Sequence, residues 1–339
     1  MRPTLALFIL TVLVSCATRP NATLERFEFT RVEMGMSFHI VLYAANTNHA
    51  ERAATAAFDR VRALNAVFSD YEDDSELTRL SRSSGQNQAV PISPELADVL
   101  QRAQALAERT QGAFDVTAGP YVVLWRRARR QGELPRPDLM ELARDRVGYA
   151  KLHLDPVQRT ALLAVPRMRL DLGGIAKGYA LDEALRVLDR HGLNRALVSG
   201  GGDLVAGDPP PGRKGWRIAL TALDQPDGMP SAHLLLTRHA VATSGDLFQY
   251  LEIEGVRYSH LVDPRTGMAL TERRLVTVTA PDSTTADSLS TALSVLGPQP
   301  GLDLIAELPG VEARIQQLDG GAVRTHDSRG FRRRLAPVE

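Results

Sequence analysis

The stretch DLGGIAKGYA, at residues 171–180, combines an acid, a glycine pair, a lysine and a further glycine at the start of an apolar helical stripe. Gly173 and Gly174 would let the backbone approach a ligand closely, and the unpaired N–H groups of a following helix would face an anion. The spacing lacks both the glycine-lysine pattern of a Walker loop and the Gly-x-Gly-x-x-Gly pattern of a dinucleotide site. On its own, the stretch fits a ligand site and a structural strand-to-helix turn equally well.

A second glycine-rich turn, SGGGD at residues 199–203, repeats the arrangement of a short strand, glycines and an acid. Taken alone, this turn is as readily a tight connection as a binding loop. Two such turns in one chain favour a ligand that carries several phosphates.

Asp287 and Thr291 are four residues apart in the stretch STTADSLSTALSVLG, and therefore share one face of the helix that this stretch predicts. Carboxylate and hydroxyl oxygens near a helix start suit Mg²⁺, which takes oxygen ligands and pairs protein carboxylates with substrate phosphates. The alternative is a threonine bonded to its own helix beside a solvated aspartate.

His260 precedes an Asp-Pro turn in YSHLVDPRTG, at residues 258–267. A histidine that faces a phosphate site could act as general base for a hydroxyl nucleophile, whereas a lone histidine is more often structural or exposed. Two further stretches, FSDYEDDSELTRLSR and GAFDVTAGPYVVLW, place aromatic and acidic residues in expected loops after helices, where binding groups gather. Their alternative explanation is acidic loops beside core aromatics.

The composition limits the class of protein. The chain has 339 residues, enough for one large domain or two closely packed ones, and its 40 basic residues balance 40 acidic ones. This balance argues against nucleic acid as the main partner, because proteins that follow a phosphate backbone usually have a basic excess.

The N-terminus has the features of a secretory signal. Arg2 precedes an apolar run from Leu5 to Val14, which is too short to span a membrane, and Cys16 is the single cysteine. The pattern resembles a bacterial lipoprotein signal over residues 1–15, with Cys16 as the lipidated first residue of the mature protein; the alternative is a plain signal peptide with an incidental cysteine. We expect residues 16–29 to tether a disulfide-free body to a membrane of the cell envelope, facing the periplasm.

The elements that position these residues mix strands and helices without a regular order. Strict apolar alternation from Val32 to Leu42 predicts one half-buried strand, and a later strand pair is expected to fold at Glu254-Gly255. Helices are predicted to begin near Asn48, at Ser93-Pro94, near Ile175 and near Ser283. The order predicts an α+β fold with mixed, largely antiparallel sheets flanked by helices, rather than a doubly wound parallel sheet.

Taken together, these stretches resemble the ApbE family of FAD:protein FMN transferases. The matching segments, in chain order, are MGMSFHIVLY, FSDYEDDSELTRL, GAFDVTAGPYVVLW, DLGGIAKGYALD, VSGGGDL, ATSGD, YSHLVDPRTG and ADSLSTALSVLG. The resemblance implies one ApbE-like, T-fold-like domain over residues 30–335. Met36 departs from the family, which commonly has threonine there, and so removes a hydroxyl near the flavin site.

The resemblance also implies an activity and its residues. The activity is Mg²⁺-dependent transfer of FMN from FAD to a Thr or Ser hydroxyl of an acceptor protein, with release of AMP; the family's usual acceptors are subunits of respiratory redox complexes. The residues expected to contact FAD are Met34, Tyr71, Ala113, Phe114, Asp115, Asp171, Lys177, Gly201, Thr243 and His260. Those expected to hold Mg²⁺ are Asp287, Thr291 and the carbonyl of Gly174. The expected catalytic residues are Asp287 and His260, the latter as base or as the group that orients the reacting phosphate.

Two other functions fit the same residues. An FAD pyrophosphatase would use water in place of the acceptor hydroxyl and give FMN and AMP. A flavin-binding lipoprotein that stores FAD would need no catalysis, and the joint presence of Asp287, Thr291 and His260 argues against it.

Overall fold

The computed structural model describes residues 23–224, 228–230, 232–247 and 249–336. Its strands are β1 (Glu25–Glu33), β2 (Met36–Ala44), β3 (Val90–Pro91), β4 (Leu152–Asp155), β5 (Thr160–Leu163), β6 (Ala196–Gly200), β7 (Asp203–Ala206), β8 (Trp216–Leu220), β9 (Ala232–Leu236), β10 (His239–Gly245), β11 (Tyr250–Ile253), β12 (Val256–Ser259), β13 (Arg274–Ala280), β14 (Glu312–Asp319) and β15 (Ala322–Asp327). Its α-helices are α1 (Thr47–Phe68), α2 (Glu76–Arg82), α3 (Pro94–Arg109), α4 (Gly119–Gln131), α5 (Pro137–Arg144), α6 (Ala176–Arg190), α7 (Ser283–Leu296) and α8 (Pro298–Ala306). The expected signal at residues 1–15 and Cys16 lie outside the described residues.

An eight-stranded sheet occupies the centre, in the order β1-β2-β6-β7-β10-β13-β14-β15, and all its neighbouring strands are antiparallel. Smaller antiparallel sheets contain β3-β5-β4, β8-β9 and β11-β12. The predicted α+β fold with largely antiparallel sheets is confirmed. The turn at Glu254-Gly255 joins β11 to β12, as expected.

The strand predicted from Val32 to Leu42 is in fact a hairpin of β1 and β2. Met34 and Gly35 both have positive φ, 52° and 74°, which is the signature of a tight two-residue connection. Glu33 pairs with Met36 across it. A two-residue turn keeps the period-two alternation in step, so the sequence pattern gave no sign of the reversal.

The expected tether was too long at its C-terminal end. It was predicted to run to Phe29, but β1 begins at Glu25 and pairs with β2 from Glu25↔Ala44 onward. The folded body therefore starts five residues earlier than the expected boundary at residue 30, because the first strand needs β2 as its partner and is not recognisable alone.

Helices α1, α6 and α7 cover one face of the central sheet, and their apolar residues form one continuous core with it. Ala180 and Ala184 on α6 and Ala286 on α7 are each 0% exposed, and these small side chains let the helices approach the strands closely. α3 begins at Pro94 with Ser93 accepting from Leu96 N, as predicted, and α6 begins without a side-chain cap. At this N-terminus Ala176 N donates to Leu172 O and Gly178 N to Asp287 Oδ2, whereas the preceding Gly174 N has no hydrogen-bond partner among the described residues.

Two stretches expected to be loops contain helices. FSDYEDDSELTRLSR includes α2, and GAFDVTAGPYVVLW runs through a 3₁₀ turn (Val116–Ala118) into α4. α1 begins at Thr47, one residue before the expected start, because Asn46 caps it by accepting from His49 N. Within the described ranges, no helix has the length and apolarity needed to cross a membrane.

Candidate active site

Lys177 lies between two buried aspartates at the start of α6. Its Nζ is 2.7 Å from Asp287 Oδ1 on α7 and 3.1 Å from Asp203 Oδ2, at the end of the second glycine-rich turn. Thr243 N, on β10, donates to the other oxygen of Asp203 at 3.1 Å. Burial opposes the lysine charge, but Asp203 and then Asp287 more than offset it and raise the pKa of Lys177. The two glycine-rich turns and α7 thus meet at this ammonium.

The close approach of α6 to α7 depends on Gly178. A Cβ at this position would lie 2.2 Å from Ser283 O and 2.9 Å from Asp287 Cβ. Gly178 N donates to Asp287 Oδ2 at 3.0 Å. One turn later, Asp182 accepts from the backbone N–H groups of Ser283 and Thr284 at 2.7 Å and 2.9 Å. Only glycine fits at this crossing, which is why the lysine before it reaches Asp287.

Gly174 and Thr291 form a second corner beside Asp287. A Cβ on Gly174 would lie 2.9 Å from Thr291 Oγ1 and 3.3 Å from the Phe114 ring. Among the described residues, the nearest hydrogen-bonding group to Thr291 Oγ1 is Ser244 Oγ, at 3.5 Å. The expected metal ligands are all oxygens: the Thr291 hydroxyl, the Asp287 carboxylate and the Gly174 carbonyl. Oxygen ligands of this kind fit the chemistry of Mg²⁺.

A cluster of three or more His, Cys, Asp or Glu side chains able to hold a metal is absent from the described part of the chain. This finding is compatible with the donor set at Asp287, because only one of its three expected protein ligands is a carboxylate. Mg²⁺ commonly keeps few protein carboxylates and completes its shell with water and substrate phosphate.

Asp171 lies at the entrance to the first glycine-rich turn and pairs with Arg126 of α4. Arg126 Nη2 is 2.7 Å from Asp171 Oδ2, and its other terminal nitrogen pairs with Asp70. The guanidinium also lies over the ring of Tyr71, with Cζ 4.5 Å from the centroid. Tyr71 is 77% exposed, so this stacking orients an aromatic face that is open to a ligand. Gly173 N donates to Asp171 Oδ1 at 2.8 Å.

The first residue of β2, Met36, contacts the second glycine-rich turn. Gly201 has φ 60°, and a Cβ there would lie 2.7 Å from Met36 Sδ and 3.4 Å from Lys177 Cδ. Met34 is half-buried against the main core. Met36, the departure from the family pattern, thus packs at the edge of the site near Lys177.

His260 lies in the loop after β12. Its backbone N donates to Gln249 O at 3.1 Å, and Nδ1 is 3.3 Å from the same carbonyl. A donating Nδ1–H leaves the lone pair on Nε2. Burial, together with the charges of Arg129 and Lys177, lowers the pKa of His260 to about 4. The imidazole is therefore neutral at neutral pH.

The predicted contacts in GAFD are buried behind this site. Ala113 and Phe114 are 1% and 4% exposed, and Phe114 packs against Gly174. The Asp115 carboxylate accepts from the N–H and the hydroxyl of Thr117, both at 2.7 Å. Asp115 thus caps the 3₁₀ turn, and its direct contact with FAD stays a prediction.

Sequence reasoning left out three partners of the predicted residues. The sequence indicates Asp203 only as the last residue of a glycine-rich turn, and no pattern in it points to Arg126 or Ser244. Ser244 Oγ is 2.8 Å from Ser290 Oγ and so ties β10 to α7. The acid that closes SGGGD was the one available signal; Arg126 has no local signal, because Asp70 and Asp171 are distant in sequence.

A cavity of about 480 Å³ is lined in part by Asp70 and Tyr71, the two residues that contact Arg126 beside Asp171. Its other walls come from α2 and from the segment that leads to Asp171, including Ser81, Arg82 and residues 166–170. The cavity adjoins the candidate site at its Tyr71 end and lies away from Lys177, Asp203 and Asp287.

Comparison with known proteins assigns the family. The model of the ApbE family matches residues 34–315. The chain is 32% identical over 316 residues to the FAD:protein FMN transferase of Haemophilus influenzae, covering 88% of this chain and 89% of that protein. It is 33% identical over 303 residues to the enzyme of that name from Treponema pallidum, covering 84% and 83%. The structure of the flavin transferase ApbE from Vibrio cholerae superposes with a TM-score of 0.81 at 27% identity, covering 92% of this chain and 100% of that one. The chain belongs to the ApbE family.

Proposed function

We propose that this chain is an FAD:protein FMN transferase. It moves FMN from FAD to a Thr or Ser hydroxyl of an acceptor protein and releases AMP. The observation that carries this proposal is the meeting of Lys177, Asp287 and the Gly174–Thr291 corner at the start of α6 and α7. Similarity to FAD:protein FMN transferases over more than four-fifths of the chain supports it.

The residues at this point suit a diphosphate. The Gly174 N–H ahead of α6 has no hydrogen-bond partner among the described residues and is available to a phosphate oxygen, and Lys177 partly neutralises Asp203 and Asp287, which lie 3.1 Å and 2.7 Å from its Nζ. Asp287, Thr291 and the Gly174 carbonyl would hold Mg²⁺, which when bound neutralises charge that develops on the phosphate oxygens. Together these groups stabilise charge at the reacting phosphorus.

The reaction forms one bond and breaks another at the FMN phosphorus of FAD. The acceptor hydroxyl oxygen bonds to this phosphorus, the bond from phosphorus to the AMP oxygen breaks, and AMP leaves with the electron pair. His260 takes the hydroxyl proton on Nε2, because its Nδ1 faces Gln249 O and its ring is neutral. The nearby diphosphate of FAD, with one negative charge on each phosphate group, would raise the pKa of the imidazole and make it a better base.

The setting of the reaction rests on the sequence. We propose that Cys16 carries a lipid, that the body faces the periplasm, and that the acceptors include subunits of respiratory redox complexes. Tethering at a membrane surface would place the site close to membrane-bound acceptors.

The test is a transfer assay with mass spectrometry. The soluble body is incubated with FAD, Mg²⁺ and a redox-complex domain that carries a flavinylation-type threonine, with the Thr→Val form of that domain as control. We expect the mass of FMN on the threonine form alone, together with AMP. AMP without the covalent mass would mean FAD hydrolysis instead, and neither product would overturn the proposal.

Asp287→Ala should abolish turnover in the same assay, because it removes the carboxylate of the donor set and the partner of Lys177. Asp98→Ala, at an exposed aspartate on α3, is the matched control and should retain turnover. Unchanged turnover in Asp287→Ala would remove Asp287 from the metal site.

A further inference from the structure

Arg129 on α4 is a half-buried cation that has no carboxylate partner in the described part of the chain. Among the described residues, its guanidinium makes one hydrogen bond, from Nη1 to the amide oxygen of Gln249 at 3.3 Å. A guanidinium removed from water without a countercharge costs free energy, so a partly buried and unpaired arginine in a candidate site indicates a missing anion.

The buried carboxylates of the candidate site are already paired with other cations. Asp70 and Asp171 both bind Arg126, and Asp203 and Asp287 both face Lys177. The electrostatic surroundings of Arg129 are instead dominated by positive charge: burial and the neighbouring Arg126 lower its pKa. No carboxylate among the described residues is therefore left to pair with Arg129, which points to an anion of a bound ligand.

Arg129 also lies between the two halves of the candidate site. It is one helical turn after Arg126, so both guanidiniums leave α4 from the same face, with Tyr71 and Asp171 next to the first of them. On the other side, Gln249 contacts Arg129 through its side chain and His260 through its backbone carbonyl. Arg129 thus adjoins the Tyr71–Asp171 side of the site through Arg126 and is linked to its His260 side through Gln249.

We propose that Arg129 binds a phosphate oxygen in the diphosphate of FAD. This inference rests on the proposed function and names one further binding residue of that site. A planar guanidinium donates two parallel hydrogen bonds to a phosphate, which satisfies both its charge and its geometry. Arg129 would also hold the phosphate of the departing AMP, since both ligands present the same oxyanion.

The experiment measures binding rather than turnover. Isothermal titration of the soluble body with FAD, AMP, riboflavin and adenosine, in Mg²⁺, compares wild type with Arg129→Gln and Arg129→Lys. Arg127→Gln is the matched control, because Arg127 is an exposed neighbour on α4 that bonds Gln131. We expect Arg129→Gln to weaken FAD and AMP by about ten-fold or more, with Arg129→Lys intermediate. Riboflavin and adenosine, which lack phosphate, should bind it as they bind wild type.

Three results would overturn the assignment. If Arg129→Gln weakens riboflavin and adenosine as much as FAD and AMP, Arg129 only positions the site. If the binding of all four ligands is unchanged, Arg129 does not take part in binding. If Arg127→Gln weakens FAD and AMP equally, the effect comes from the overall charge of α4 and not from Arg129. The binding proposal and the transferase proposal can be refuted independently. If Arg129→Gln weakens FAD binding as expected but the wild-type protein transfers no FMN, only the transferase proposal is refuted. Wild type that binds neither FAD nor AMP refutes both.

Discussion

Replacing Lys177 with methionine removes the charge at the centre of the candidate site and keeps the length of the side chain. The ammonium is 2.7 Å from Asp287 and 3.1 Å from Asp203, and both carboxylates are 2% exposed. At an effective dielectric constant of about 20, these distances correspond to about 6 and about 5 kcal/mol of attraction. Desolvation offsets most of this, and loss of one member of a buried ion pair costs about 3–5 kcal/mol. Because the lysine side chain is 23% exposed, we expect the lower end of that range.

The variant leaves two aspartates facing each other without a cation, so its defect should depend on metal. Urea unfolding at neutral pH, followed by far-UV circular dichroism, gives the free energy of unfolding in EDTA and in excess Mg²⁺. In EDTA, Lys177→Met should lose about 3 kcal/mol relative to wild type. Mg²⁺ should restore much of this loss, since a divalent cation on Asp287 replaces the missing charge. Lys214→Met, at an exposed lysine, is the control and should change neither value.

Two outcomes would refute this reasoning at different points. A variant within about 1 kcal/mol of wild type in EDTA would mean that the ion pairs stabilise little, as exposed pairs do. If Lys177→Met loses about 3 kcal/mol of unfolding free energy and Mg²⁺ does not restore it, the ion pairs are confirmed but Asp287 does not bind the metal.

Three further predictions follow from the same contacts. Gly178→Ala should cost about 1–3 kcal/mol of unfolding free energy and most of the transfer rate, because its Cβ would lie 2.2 Å from the backbone oxygen of Ser283. Gly301→Ala is the control and should cost less, because its Cβ would meet side-chain methyl groups of Leu293 and Ile315, at 2.6 Å and 3.3 Å, which can move; urea unfolding of both variants checks this. The pH profile of kcat/KM for FAD should show no titration of His260 near pH 6.5, because the pKa of His260 is lowered to about 4. A titration near pH 6.5 that disappears in His260→Gln would contradict this. Asp182→Ala should lower the unfolding free energy by about 3 kcal/mol, because three donors at the start of α7 lose their acceptor, while Asp182→Asn should lose less.

Local signals predicted the elements that carry the site, and they failed where a long-range partner decides the structure. The cap at Ser93-Pro94 and the apolar stripe after Asp282 are readable within a few residues, and α3 and α7 begin there. The β1–β2 turn was missed because Met34 adopts a positive φ that nothing in its neighbourhood requires, while the alternation continues across it.

The charges of the site show the same limit. The sequence pointed to Asp171 and Lys177 as ligand contacts, since both flank the glycines of the first turn. Their protein partners, Arg126 for the aspartate and Asp287 for the lysine, are 45 and 110 residues away in the chain. Only the crossing of α6 over α7 at Gly178 brings the second pair together, and no spacing in the sequence encodes that crossing.

This pairing changes which groups of DLGGIAKGYA meet an anion. Asp171 is held by Arg126, and Lys177 is shared between two carboxylates, so the charged residues of the stretch build the walls of the site. The Gly174 N–H, in contrast, has no hydrogen-bond partner in the described ranges, and α6 starts without a side-chain cap. On the proposed function, we therefore expect a diphosphate to be recognised by the backbone N–H of Gly174 and the guanidinium of Arg129, because unpaired donors gain a hydrogen bond when the ligand binds.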